Sequence, residues 1–131
     1  MIRTNGSVRL DRMSCIQGLL GSLSYGIESQ LKPALSGLTG FLVRGYLPQA
    51  WVFETESEIA TLTVDAYGNV STQPGGLPSR DVTIRWTHDL LASVLKTRSR
   101  TSVPSDAYPS VTTHTPKGQT AFNYLRGRFG L

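Results

Sequence analysis

An α+β domain, with a twisted, mostly antiparallel sheet of five or six strands and helices packed on one face, is the fold class this sequence predicts. Three observations predict it. Apolar residues recur at steps of three and four from Met13 to Leu31, alternate singly after Gly37, and return to the helical step after Trp86. Turn-forming clusters, Tyr67-Gly68-Asn69 and Gln73-Pro74-Gly75-Gly76-Leu77-Pro78, punctuate the alternating stretch. The length of 131 residues suits one core, burying roughly two thirds of the unfolded surface.

The first element is read from Ile16, Leu20, Leu23, Ile27 and Leu31, which fall on one stripe of a helix near residues 13 to 35. Gly18, Gly21 and Gly26 weaken that helix and offer room for a close approach, and Pro33 is expected to end or kink it. Arg3, Arg9 and Arg12 before an apolar stretch look superficially like a leader, but Ser14, Gln17, Ser22 and Ser24 interrupt it. The stretch also falls short of the ~20 apolar residues of a membrane span. The whole chain, 1–131, is therefore expected to be one cytoplasmic domain, with residues 1–12 as a flexible arm.

Alternation then marks the strands. Phe41, Val43 and Leu47 form a first run; Trp51 and Phe53 share one side of the next while Glu54, Glu56 and Glu58 share the other. Leu62 with Val64, Val70 to Thr72, and Val82 with Ile84 and Trp86 continue the sheet as a meander with one wet face. A second helix is expected near 87 to 97, with Thr87 as cap, Asp89 in the first turn and Leu90, Leu91, Val94 and Leu95 inward. A last strand runs from Val111 to His114. Thr115-Pro116 opens a final helix near 116 to 126 with Ala121, Phe122 and Leu125 inward.

Composition narrows the chemistry. Hydrophobic residues make up 39% and charged residues 17%, which is too apolar for disorder. Cys15, the only cysteine, excludes an internal disulfide and any multi-thiolate zinc site, and reads as an inert small hydrophobe. His88 and His114 have no cysteine or carboxylate at a metal-ligand spacing, and neighbours such as His88 and Asp89 do not face each other on a helix. Gly75-Gly76 lacks the lysine of a phosphate loop, and no Gly-x-Ser-x-Gly elbow is present. Neither catalytic residues, a metal nor a cofactor is assigned, and no enzyme is expected. Aligned on a strand, Glu54, Glu56 and Glu58 could hold a cation, with a hydrated face as the competing reading.

Net charge is +4, with a pI near 9.6. Lys96, Arg98 and Arg100, joined by Lys117, Arg126 and Arg128, suggest a basic rim able to contact an anionic membrane surface weakly. Simple solubility is the competing reading. Nucleic acid is disfavoured, because neither an aromatic-rich RNA motif nor a recognition helix is present.

Ala66-Tyr67-Gly68-Asn69-Val70, followed by Asp81-Val82-Thr83-Ile84-Arg85-Trp86-Thr87-His88-Asp89-Leu90-Leu91 in this order of elements, resembles the sterol carrier protein type 2 family of lipid-transfer domains. The likeness runs from about Leu38 to Leu131. Where that family has a glycine after the middle helix, this chain has Thr97-Arg98-Ser99, and its closing strand is altered to Tyr108–His114. The resemblance implies an apolar tunnel for a sterol, a fatty acyl chain or a similar lipid. Leu20, Leu23, Ile27, Phe41, Val43, Leu91, Val94, Leu95, Phe122 and Leu125 are the candidate lining, with plain core packing as the alternative for each. Trp51 and Trp86 are candidates for its mouth, against sheet anchoring. Non-enzymatic carriage of an apolar small molecule is the functional expectation. The runner-up is an interaction module with a filled core, whose basic face binds protein or nucleic acid. Oligomeric state is not set by these patterns.

Overall fold

The structure, a computed structural model, describes residues 15–36 and 44–131. The expected N-terminal arm and the candidates Phe41 and Val43 lie outside the described residues. Helix α1 spans Ile16–Ser36, and its apolar stripe, joined by Leu19 and Leu35, is buried along its whole length. Pro33 sits inside it without ending it. Gly21 faces open space, whereas a Cβ on Gly26 would meet the Arg128 guanidinium at 3.8 Å, an ordinary contact.

Strands β1 (Gln49–Glu54), β2 (Ile59–Val64), β3 (Val70–Pro74), β4 (Val82–Arg85) and β5 (Ser110–Thr113) form a five-stranded sheet in the order β3-β2-β1-β4-β5. Only the β1–β4 pair is parallel. The reason is the path of the chain after β3. Loop residues near Gly76 pass over the outer face of the sheet against Val52 and Ile59, and Thr61 anchors them by donating to the Gly75 carbonyl at 2.7 Å. The chain thus reaches the far side of β1 running in the same direction as β1. Val52 and Thr61, fully buried on that outer face, are covered by this loop.

On the inner face Trp51 stands between Leu62 and Val82, and Phe53 between Ala60 and Ile84. Helix α2 (His88–Thr97) packs on α1, while α3 (Pro116–Phe129) lies across β1, β4 and β5. Phe129 stacks at 5.2 Å on Trp51 and 5.7 Å on Phe53, joining α3 to the sheet. Such aromatic pairs contribute about 0.5–1.5 kcal/mol beyond the area they bury. This layout is the one the family resemblance implied. Among the described residues no helix is long and apolar enough to cross a membrane.

Several local expectations are corrected. Residues 44–48 form a turn, so the strand expected through Leu47 does not extend there. The three glutamates do not share a strand face, because the chain leaves β1 at Glu54 and turns through residues 55–58. Thr55 closes that turn by accepting from the Ser57 and Glu58 amides. Glu54 stays on the sheet and binds Arg85 and Arg80 at 2.7 and 3.1 Å. Glu56 accepts from the His88 amide at 2.9 Å, and Glu58 from those of Ile16 and Gln17 at 2.6 and 3.0 Å. Two glutamates of one hairpin therefore cap the first turns of α2 and α1, where amides lack intrahelical partners. Thr87 precedes α2 without a side-chain cap bond; Glu56 takes that role. Thr115 does cap α3, accepting from Gly118, and that helix runs three residues beyond its expected end. Among the described residues no group of three or more acidic, histidine or cysteine side chains could hold a metal.

Candidate ligand cavity

The start of α3 is set by one buried carboxylate. Asp81, at the entry to β4, accepts from the Ala50 amide at 2.9 Å and from the Thr115 hydroxyl at 2.7 Å, while Lys117 approaches at 3.7 Å. A Cβ on Gly118 would stand 2.5 Å from the Asp81 carbonyl oxygen, so only glycine lets the helix seat this closely. From that anchor α3 crosses β1 and leaves a gap over the β1–β2 end of the sheet.

The gap is an apolar cavity of about 160 Å³. Leu31 of α1, Trp51, Leu62 and Val64 of the sheet, and Ala121, Leu125 and Phe129 of α3 wall it, with Leu47 from the turn before β1. Tyr46, Tyr124 and Thr120, all exposed, mark its rim. Gln49 is the buried polar side chain on its wall, and its amide is engaged inside the protein. Nε2 donates to the Tyr46 and Lys117 carbonyls at 2.6 and 3.0 Å, and Oε1 accepts from the Trp51 indole at 2.9 Å. Lys117 in turn donates to the Pro48 carbonyl at 2.5 Å. These bonds tie the 44–48 turn to α3, so the two walls beside the rim are held together by two side chains.

The sequence-predicted lining divides between this cavity and the closed core. Leu125 lines the cavity. Leu20, Leu23 and Ile27 of α1 and Leu91, Val94 and Leu95 of α2 are buried in the common core and line none of it. Phe122 packs on Trp51, with ring centroids 5.6 Å apart, and borders a separate groove beside Arg100 and Arg126. Trp51 forms the wall of the cavity rather than its mouth. Trp86 lies away from it under the Arg100 guanidinium. Sequence reasoning missed Leu31, Leu47, Trp51, Leu62, Val64, Ala121 and Phe129 as lining, since nothing in an apolar residue's type distinguishes a wall from a core.

The expected basic rim also divides. Lys96 and Arg98 are exposed at the end of α2. Arg100 is half-buried, 5.6 Å from the Trp86 ring and 4.7 Å from that of Tyr108, and it donates to the Ala107 carbonyl. It is an anchor for the loop after α2. Of the histidines, His88 has Nδ1 at 3.3 and 3.2 Å from the Thr55 and Ser57 hydroxyls, and His114 has Nε2 at 2.9 Å from that of Thr83. Neither borders the cavity.

No family model matches this chain, and no curated protein does. A solved structure described as a UbiJ-SCP2 ubiquinone synthesis protein is similar to it over 82% of this chain and 89% of that one, at 22% identity and a TM-score of 0.44. The likeness is one of fold.

Proposed function

We propose that this chain binds an apolar small molecule or the apolar end of a lipid in the cavity under α3, and carries it without chemical change. The observation that supports this is a void of about 160 Å³ whose one buried polar side chain, Gln49, is already satisfied. An engineered protein cavity of ~150 Å³ with apolar walls stays dry and takes up a benzene-sized ligand. The present one is of that order, so it accommodates a ring or a short run of chain as it stands. A whole sterol or long acyl chain belongs to the pocket range of ~300 Å³ and above, and its remainder would lie outward between Tyr46 and Tyr124. No histidine, cysteine or carboxylate borders the cavity among the described residues, which favours holding a ligand over transforming it.

The test is displacement of a fluorescent fatty acid, measured with Ala121→Leu alongside the parent protein. Ala121 is buried on the cavity wall, and the larger side chain would occupy the space the ligand needs. Filling a void gains dispersion contacts, whereas enlarging a residue in a packed core costs roughly 1–3 kcal/mol. Carriage predicts at least a tenfold loss of probe affinity with thermal stability kept or raised. A parent protein that never binds the probe, together with a variant that is destabilised, would refute the reading and favour an interaction module with a filled core.

A further inference from the structure

The loop after α2 carries a cation that the protein leaves without a counter-ion. Arg80, Arg100 and Lys117 are the half-buried lysine and arginine side chains among the described residues. Arg80 is paired with Glu54 and Lys117 with Asp81, but Arg100 has no carboxylate among those residues within salt-bridge distance. An arginine carries several N–H donors in a fixed fork, and Arg100 uses one of them, on the Ala107 carbonyl. Its contacts with the Trp86 and Tyr108 rings, at 5.6 and 4.7 Å, are made to π faces and consume no donor. Among the described residues no side-chain nitrogen is sealed from solvent without a partner, so the unused Arg100 donors open outward. Drawing a cation partly out of water without pairing it is unfavourable, and anchoring the loop calls on only one of those donors.

The donors open onto a groove of about 380 Å³, which shares no lining residue with the cavity under α3. Val111 of β5, Phe122 of α3, Pro109 and Leu131 give it apolar walls, and Tyr108, largely exposed, stands beside Arg100. Arg126 brings a second guanidinium to the lining, but that one lies over the Phe122 ring at 5.3 Å and donates to the Leu131 oxygen at 2.9 Å. The uncommitted charge is therefore that of Arg100. Small-molecule sites span ~300–1,000 Å³, are mostly apolar and fix their ligand with a few polar groups. One unpaired charge matches a monoanion, and the planar fork matches the paired oxygens of a carboxylate. Apolar walls favour a carboxylate borne on a ring or short chain over a strongly hydrated phosphate dianion.

We propose that this groove binds an organic monocarboxylate with a compact apolar body, an aryl or short alkyl acid. Arg100 holds the carboxylate with Arg126 beside it, and the body lies on Val111, Phe122 and Leu131. The site does not depend on the carrier reading, since no residue lines both spaces.

The experiment is calorimetric titration of the whole chain with naphthoate and with uncharged naphthamide, which has the same ring system. The acid should bind at least about tenfold tighter than the amide, because hydrogen bonds to a charged acceptor are the stronger ones. Arg100→Lys keeps the charge but loses the fork, and should weaken naphthoate about tenfold. Arg126→Gln, at an exposed position, should weaken it by up to about fivefold with little change in melting temperature. Should Arg100→Lys lose its fold, the preference for acid over amide and the Arg126→Gln affinity decide the matter. Equal affinity for acid and amide, or undiminished binding by either variant in folded form, would overturn the proposal. So would displacement of naphthoate by inorganic phosphate at equal concentration, which would assign the groove to phosphoryl groups. Ala121→Leu, on the wall of the other cavity, should leave naphthoate affinity unchanged; a loss there would place the acid under α3 and overturn the assignment. A chain that binds naphthoate through Arg100 yet never binds the fluorescent fatty acid upholds the groove and removes the carrier reading. One that never binds naphthoate, while its fatty-acid binding is lost in Ala121→Leu, does the reverse.

Discussion

Glu54 shows how little a residue's type says about its task. Its alternation with Glu56 and Glu58 suggested one acidic face, yet its carboxylate bridges Arg85 and Arg80 across the outer face of β1 and β4. The hydrogen bond from Arg85, aided by Arg80 and opposed by burial, holds that carboxyl below its ordinary value near 4.5. A lowered folded value means that the unfolded chain binds the proton more readily. The stability this group contributes is therefore full above about pH 4.5 and is lost as pH falls through the folded value. Glu54→Gln should cost about 1 kcal/mol at pH 7, the upper range for a partly exposed pair, and less at pH 3. Urea midpoints of both proteins at the two pH values read the difference directly. A deficit that persisted unchanged at pH 3 would mean that shape rather than charge is what Glu54 supplies.

Helices and strands were largely legible because their signal is periodic and local. The stripe from Ile16 to Leu31 is the buried face of α1, and the pairs Trp51/Phe53 and Leu62/Val64 do face the helices. What was not legible is long-range. The amide partners of Glu58 lie 41 and 42 residues away in sequence, and no window along the chain connects a hairpin turn with a helix start. Thr87 looked like the cap of α2 on residue type alone, but its position is served by Glu56 instead. Removing such a cap generally costs ~1 kcal/mol, up to about 2. Glu58→Ala should therefore destabilise the fold by about 1–2 kcal/mol, with Glu58→Gln in between because it keeps an acceptor and loses the charge. Denaturant unfolding ranks the three proteins, and an alanine variant as stable as the parent would show that solvent satisfies those amides equally well.

At the scale of the whole molecule, the cavity exists because three elements stop short of one another. α3 is seated at one end by Asp81 and Gly118 and at the other by Gly130 against α2, and between these anchors it does not reach the β1–β2 corner. A void of that kind is a difference between volumes, which residue types do not encode; the candidate lining drawn from α2 therefore fell in the closed core. The arrangement places the two tryptophans in different surroundings. Trp51 is a wall of the cavity, whereas Trp86 lies under Arg100 on the other side of the sheet's centre strands from β2. A ligand in the cavity displaces nothing near Trp86 but changes the polarity and contacts of the Trp51 indole, whose N–H is fixed on Gln49. Trp86→Phe should then retain the full ligand-induced change in tryptophan emission, while Trp51→Phe should abolish it. Trp51→Phe also leaves Gln49 Oε1 without its indole donor, a loss of about 1–3 kcal/mol for a buried polar group, so its fold is checked by circular dichroism before titration. An emission change that survives in Trp51→Phe and vanishes in Trp86→Phe would move the ligand out of this cavity and towards the groove beside Arg100, Phe122 and Arg126.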